Sequence, residues 1–227
     1  MYISVKSQAK RFAFSPLNLV SFPDMDILIA TRNNDKVREI SEILDLPDTR
    51  FVGLDGFPDC PEAEETGRTF DDNAMIKASQ AAYYSGLWAL ADDSGLMIDA
   101  LGGQPGILSA RFAGPEADYR DNWMKALELM KQVPSEKRAA RFVCVLCLVG
   151  NNNRAFFTRG EIEGTITTEP RGSNGFGYDP IFLPAGFDKT FAELDPPEKN
   201  RISHRSQALK KMRALINGLA SPGSPKT

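Results

Sequence analysis

Two apolar rhythms alternate along the chain. Unbroken runs at Ile27-Leu28-Ile29-Ala30, Leu87-Trp88-Ala89-Leu90-Ala91 and Phe142-Val143-Cys144-Val145-Leu146-Cys147-Leu148-Val149 predict buried strands, and residues 155–163 predict another. Elsewhere the spacing is helical. Val37, Ile40 and Leu44 form one stripe, Tyr119, Trp123, Ala126 and Met130 a second, and Leu209, Met212, Leu215 and Ile216 a third. Thr69 and Asp72 have the spacing of a capping box, so a helix is expected from there to Tyr84. Ser203 reads as an N-cap and Gly218 as a C-terminal stop. Strands alternate with helices in the first half, and the second half opens with strands and ends on a helix. That order predicts an α/β fold with a mixed sheet.

Composition narrows the class. A chain of 227 residues can bury one good core, and 42% hydrophobic with 25% charged residues is a globular balance. A net charge of -3 and a pI near 5.4 argue against a stable nucleic-acid surface. No apolar stretch is long enough to span a membrane. Cys60, Cys144 and Cys147 make no disulfide framework, so a reducing cytoplasm is expected. In a strand, Cys144 and Cys147 point to opposite faces, which makes them core filler rather than a redox or zinc pair. Residues 1–24 carry Lys6, Lys10 and Arg11, have no acid before Asp24 and lack a secretory pattern. They are expected to be a disordered extension, and 220–227 a disordered tail, around one domain at 25–219.

Four segments carry candidate chemistry. In Ala91-Asp92-Asp93-Ser94-Gly95 two acids follow an apolar run. Such acids are costly to desolvate without a positive partner, and a divalent metal with a phosphate would supply one. A solvated turn satisfies the same residues. Thr31-Arg32-Asn33-Asn34-Asp35-Lys36 joins a strand to a helix and offers hydroxyl, amide, helix N-terminal N–H groups and an ammonium, as a phosphate site would. Glu62 to Asn73 is an acidic loop beside a helix face that carries Asn73 and Lys77. Gly172 to Pro180 combines glycines with Phe176, which could stack on a base, and Asp179, which could accept from ring N–H groups. Beyond it, His204 and Arg205 fall in a first helical turn, where a cation opposes the helix dipole.

Seven motifs in order resemble the Ham1/RdgB-type inosine triphosphate pyrophosphatase family over residues 25–218. They are Thr31-x-Asn33-x-x-Lys36, Glu64-Glu65-Thr66-Gly67, Phe70-x-x-Asn73-Ala74-x-x-Lys77-Ala78, Ala91-Asp92-Asp93-Ser94-Gly95-Leu96, Pro105-Gly106-x-x-Ser109-Ala110-Arg111, Gly175-Phe176-Gly177-Tyr178-Asp179-Pro180 and Lys199-x-x-Ile202-Ser203-His204-Arg205. Arg32 departs from the pattern, which often has glycine there. The resemblance implies an elongated central mixed sheet flanked by helices, two lobes with a nucleotide cleft between them, and a homodimer. It implies Mg²⁺-dependent hydrolysis of deaminated purine nucleoside triphosphates (ITP, dITP, XTP) to monophosphate and pyrophosphate. Thr31, Asn33, Lys36 and Lys77 would hold phosphates, with Ser94 in support. Glu64, helped by Glu65, and Asp93 would hold the metal, and Asp93 would be the base. Phe176, Gly177, Tyr178, Asp179, Lys199, His204 and Arg205 would form the base pocket. Choosing Asp93 over Asp92 follows the motif, since spacing does not separate them. A Maf-like pyrophosphatase for other modified bases, or a nucleotide-binding regulator without turnover, are the competing readings.

Overall fold

A computed structural model describes residues 25–44, 46, 49–150 and 154–220. The expected extension at 1–24 lies outside them, as does the expected tail apart from Ala220, which ends a helix. One six-stranded mixed sheet organises the chain. Its strands are β1 (Met25–Ile29), β2 (Thr49–Gly53), β3 (Trp88–Ile98), β4 (Ala139–Val149), β5 (Ala155–Ile166) and β6 (Phe182–Pro184), in the order β2-β1-β3-β4-β5-β6. β1 pairs parallel with β2 and β3, and the remaining pairings are antiparallel. The helices are α1 (Asn34–Ile43), α2 (Phe70–Ser85), α3 (Tyr119–Leu129), α4 (Pro196–Ile202) and α5 (His204–Ala220).

Strand alternation sorts the core into two layers. Ile27, Ile29, Leu90, Cys144, Leu146 and Leu148 pack on α1 and α5. Leu28, Ala89, Ala91, Val143, Val145 and Cys147 pack on α2. Cys144 and Cys147 therefore face opposite ways, as their spacing requires, and burial pushes both thiols up to about 12. A third cluster, with Leu96, Ile98, Phe142, Phe182 and Phe191, fills the far end of β3 and β4 under α3. On α2 the inward face is Ala74, Ala78, Ala81 and Ala82, against Ala89 and Ala91 of the sheet. Small side chains on both sides let helix and sheet lie close.

The capping box at Thr69 and Asp72 is formed, and α2 ends at a left-handed Gly86. Other expectations are corrected. β3 does not stop at Ala91 but runs through Asp92 and Asp93 to Ile98, paired with β4 throughout. Cations from three other elements neutralise those acids, which removes the reason to end the strand there. Gly218 does not stop α5, which continues to Ala220. Tyr119 is not in the core. It is 40% exposed, while Ala126 and Met130 are fully buried. β2 and α4 carry no clear period of their own. No helix among the described residues is long and apolar enough to cross a membrane.

α5 lies on β5 with almost no clearance at Gly160. A Cβ there would stand 2.0 Å from the carbonyl oxygen of His204 and 2.7 Å from the amide nitrogen of Ala208. Both obstacles are backbone, so the helix itself must move. Gly160→Ala is expected to lower stability by about 2 kcal/mol or more, read as a drop of roughly 5 °C or more in Tm. α5 carries His204 and Arg205, so their placement should shift with it. A Tm within a degree of wild type would show that the contact is looser than this.

Candidate active site

β3 is the axis of the site, and its two acids point to opposite faces. Asp92 faces α1 and α5 and has a fully buried side chain. Its carboxylate meets Lys36 Nζ at 3.0 Å and Arg205 Nη2 at 3.2 Å, and accepts from Ser94 Oγ at 2.6 Å. Burial alone would raise its pKa, but Lys36 and Arg205 hold it far below the usual carboxylate range. Asp93 faces α2. It meets Lys77 Nζ at 2.7 Å and accepts from Asn73 Nδ2 at 3.4 Å. Here burial prevails over Lys77 and its pKa is raised.

A buried acid on α1 completes the Asp92 side. Glu39 pairs with Lys199 Nζ at 3.0 Å and with Arg205 Nη1. Lys199 also meets Asp179 at 2.6 Å. Burial works against the Glu39 charge, yet Arg205 and Lys199 lower its pKa. The result is a row of alternating charges: Asp179, Lys199, Glu39, Arg205, Asp92, Lys36. Asp179 Oδ2 accepts from the amide of Phe176 at 2.9 Å, which ties the glycine-rich loop to this row. Gly175 makes the approach possible. Its φ is +71°, and a Cβ there would fall 2.0 Å from Asp179 Oδ2.

On the Asp93 side, Lys77 bridges to Glu65 at 3.0 Å, and Arg111 Nη1 donates to Glu65 at 2.7 Å. Burial again opposes the Glu65 charge, and Lys77 with Arg111 outweighs it. Asn73 accepts from the amide of Gly67 at 2.9 Å, so one side chain joins the acidic loop to Asp93. Thr31, Arg32, Lys36, Glu65, Lys77 and Arg111 line a cavity of about 420 Å³ beside this cluster.

A second cavity of about 90 Å³ lies on the Asp92 side, and Asn33 and Lys36 line both. Ser94, Phe176, Tyr178, Asp179, Lys199, His204 and Arg205 all line it. Lys199 Nζ stands 4.8 Å from the Phe176 ring centroid, and the Arg205 guanidinium 5.6 Å. Tyr178 is pinned by its hydroxyl, which donates to the Ser109 carbonyl at 2.8 Å. His204 stacks on Phe142 at 4.7 Å with 7° between the rings. Two buried polar atoms on this wall, His204 Nδ1 and Arg205 Nε, have no hydrogen-bond partner among the described residues. Buried polar atoms are rarely left so, and both residues line the cavity.

The expected residues therefore converge, with three differences. Glu64 is exposed and lines neither cavity, whereas Glu65 takes the central place. Ser94 sits with Asp92 and Arg205 on the smaller cavity, away from Lys77. The first N–H groups of α1 are not all open, since Asn33 Oδ1 caps Asp35 N at 3.0 Å and Lys36 N at 3.2 Å. Residues beyond those expected also belong here. Glu39 follows Lys36 by one helical turn, and two buried cations needed a counter-acid. Tyr119 reaches across the cleft to accept from Asn33 Nδ2 at 2.9 Å, with its ring 5.8 Å from that of Phe176.

The burial of the chain's single histidine has a measurable consequence. Burial, then the neighbouring Arg205 and Lys199, push the His204 pKa well below 6.5, against a weaker opposite pull from Asp92. The folded ring stays neutral where the unfolded ring takes up a proton. Stability is thus complete above pH 6.5 and falls as pH drops below it, by up to about 1.4 kcal/mol per pH unit. Urea midpoints at pH 7 and 5.5 should show that fall in wild type and not in His204→Phe. An equal fall in both would assign it to other groups.

Known proteins resemble this chain in sequence and in fold. The model of the Ham1 family matches residues 27–215. The dITP/XTP pyrophosphatase of an Exiguobacterium species is 50% identical over 192 residues, which are 85% of this chain and 97% of that protein. The Desulforamulus reducens dITP/XTP pyrophosphatase is 47% identical over 86% of this chain and 97% of its own. Among solved structures, a Ham1 protein from Coxiella burnetii superposes with a TM-score of 0.79 at 45% identity, covering 86% of this chain and 99% of that one. The Ham1 protein of Staphylococcus aureus gives 0.78 at 38% identity, over 85% of this chain and 98% of that one. With its fold and nearly its whole described length matched, the chain belongs to the Ham1 family.

Proposed function

We propose that this protein hydrolyses non-standard purine nucleoside triphosphates, with dITP, ITP and XTP as substrates, to a nucleoside monophosphate and pyrophosphate. One observation carries the proposal. A cavity lined by cations with a carboxylate cluster beside it adjoins a smaller aromatic cavity, and Asn33 and Lys36 are common to both. The cations of the first half suit a triphosphate, and the aromatic lining of the second suits a purine. The relatives named above, about half identical over nearly their whole length, carry the name dITP/XTP pyrophosphatase.

Asp93 and Glu65 fit a divalent cation in donor chemistry. They are two carboxylates already drawn to one ammonium, that of Lys77. Mg²⁺ in phosphate sites commonly uses one or two carboxylates, with substrate oxygens and water completing its shell. We assign Mg²⁺ to Asp93 with this acidic loop, Glu65 facing inward and Glu64 beside it. When bound, the ion would neutralise phosphate charge and lower the pKa of water. Lys77 exchanges its carboxylate partners for phosphate oxygens as substrate enters. Asp93, freed of that ammonium, orients the attacking water and takes its proton. Thr31 holds phosphate oxygens in the larger cavity, and Asn33 and Lys36 hold them at the junction of the two cavities. Asp92 takes no proton, because Lys36 and Arg205 keep it ionised; it positions those cations instead.

The purine enters beside Phe176. A 6-oxo group accepts from Lys199, His204 or Arg205, which line the smaller cavity. Adenine offers an amino donor in that place and leaves those donors unpaired. Such mismatches discriminate by up to about 10⁴-fold. Guanine shares the 6-oxo edge, so its 2-amino group must be rejected by shape or by an unpaired donor near Phe176 to Asp179. In the same reading the working form is a cytoplasmic homodimer.

Pyrophosphate release with ITP, XTP, dITP, GTP and ATP in Mg²⁺ buffer tests the assignment. ITP and XTP should turn over far faster than ATP, and equal rates for ITP and ATP would overturn it. Asp93→Asn should cut turnover by roughly 10²-fold or more, the usual cost of losing a general base. A variant keeping about a tenth of wild-type turnover would be too active for that role.

A further inference from the structure

Arg32 stands in the phosphate loop between Thr31 and Asn33, and the proposed mechanism leaves it unused. It lines the larger cavity and not the smaller. Every other cation on that wall already faces a carboxylate. Lys36 meets Asp92 at 3.0 Å, Lys77 meets Asp93 at 2.7 Å and Arg111 meets Glu65 at 2.7 Å. Arg32 has no carboxylate partner among the described residues. Its hydrogen bond runs from Nη2 to the Cys60 carbonyl at 2.7 Å. The next carbonyl, that of Pro61, accepts from Gln80 Nε2 of α2 at 2.7 Å. The guanidinium is thus fixed to an anchored segment by a neutral group. It keeps its full charge, and of its five N–H donors only one is used by the protein.

From this placement we infer that Arg32 is a phosphate clamp for the β,γ end of the triphosphate, the part that leaves as pyrophosphate. This inference rests on the triphosphate reading of the larger cavity. The purine cavity meets the larger one at Asn33 and Lys36, so the α-phosphate, next to the nucleoside, belongs at that junction. Arg32 lines only the part beyond it. A planar guanidinium matches two phosphate oxygens at once, which an ammonium cannot do. In the hydrolysis, the water oxygen bonds to the α-phosphorus and the bond from that phosphorus to the bridging oxygen breaks. The electron pair stays on the pyrophosphate, and the water proton passes to Asp93. Negative charge grows on the fragment that Arg32 grips. The side chain therefore favours departure of pyrophosphate from the α-phosphorus and then retains it as product.

Calorimetric titration of inorganic pyrophosphate and of inosine monophosphate, in the same Mg²⁺ buffer, tests this. For Arg32→Gly, pyrophosphate should bind about tenfold more weakly, the scale of one charge-assisted hydrogen bond. Monophosphate affinity should stay within about twofold, inside the spread expected for a screened contact at a distance. Arg32→Lys should recover part of the loss, and the pyrophosphate affinity of Arg32→Gly should respond less to added salt. Unchanged pyrophosphate affinity in Arg32→Gly would overturn the inference. So would equal losses for both ligands, which would mean that the Cys60 tether shapes the whole cleft. Neither titration needs turnover. A failed substrate panel with the pyrophosphate loss intact would overturn the proposed reaction and leave the clamp standing.

Discussion

The row Asp179, Lys199, Glu39, Arg205, Asp92, Lys36 is the constraint on which the site depends. Its signs alternate strictly and its charges sum to zero. Each member except Lys36 is almost wholly removed from water. A lone buried ion costs several kcal/mol, about what an ion on either side can return when its remaining atoms are bonded. Removing any one member leaves its neighbours uncompensated. The row also fastens together pieces far apart in sequence: α1 gives Lys36 and Glu39, β3 gives Asp92, the segment after β5 gives Asp179, α4 gives Lys199 and α5 gives Arg205. The cleft has its shape because these six charges can be buried in one arrangement.

What the sequence made legible follows from what periodicity can encode. The strand runs, the capping box at Thr69, the stripe of α5 and the opposed thiols of β4 are local patterns, and each appears where it was expected. The motif residues also gather around one pair of cavities. What was not legible depends on partners distant in the chain. β3 continues past Ala91 because Lys36, Lys77 and Arg205 come from elsewhere to neutralise its acids. Glu39 reads as one more polar residue of α1, and only the fold reveals which two cations require it. Tyr119 fits the apolar stripe of α3 by spacing, yet its hydroxyl finds Asn33 and Asp35 across the cleft. Glu64 and Glu65 are adjacent and alike, and the loop's path alone turns the second inward.

The two cavities differ as their proposed occupants differ. The larger wall carries cations paired with carboxylates, which suits groups that must exchange partners within a catalytic cycle. The smaller wall is fixed at many points. Tyr178 is pinned by its hydroxyl, Asp179 by two donors, and His204 by stacking on Phe142. A rigid pocket recognises a base by refusing to adapt, since an ill-matched edge finds no compensating movement.

The opposed orientation of Asp92 and Asp93 has a consequence for descent. In the proposed mechanism, recognition of the base belongs to one face of β3 and bond-breaking to the other, separated by the thickness of a single strand. A substitution on one face reaches the other chiefly through Asn33 and Lys36, which line both cavities. A single inserted or deleted residue within β3 acts on both faces at once. It would exchange the faces of every side chain beyond it and place each carboxylate among the wrong cations. In this strand, lineage can vary the letters but must keep their count.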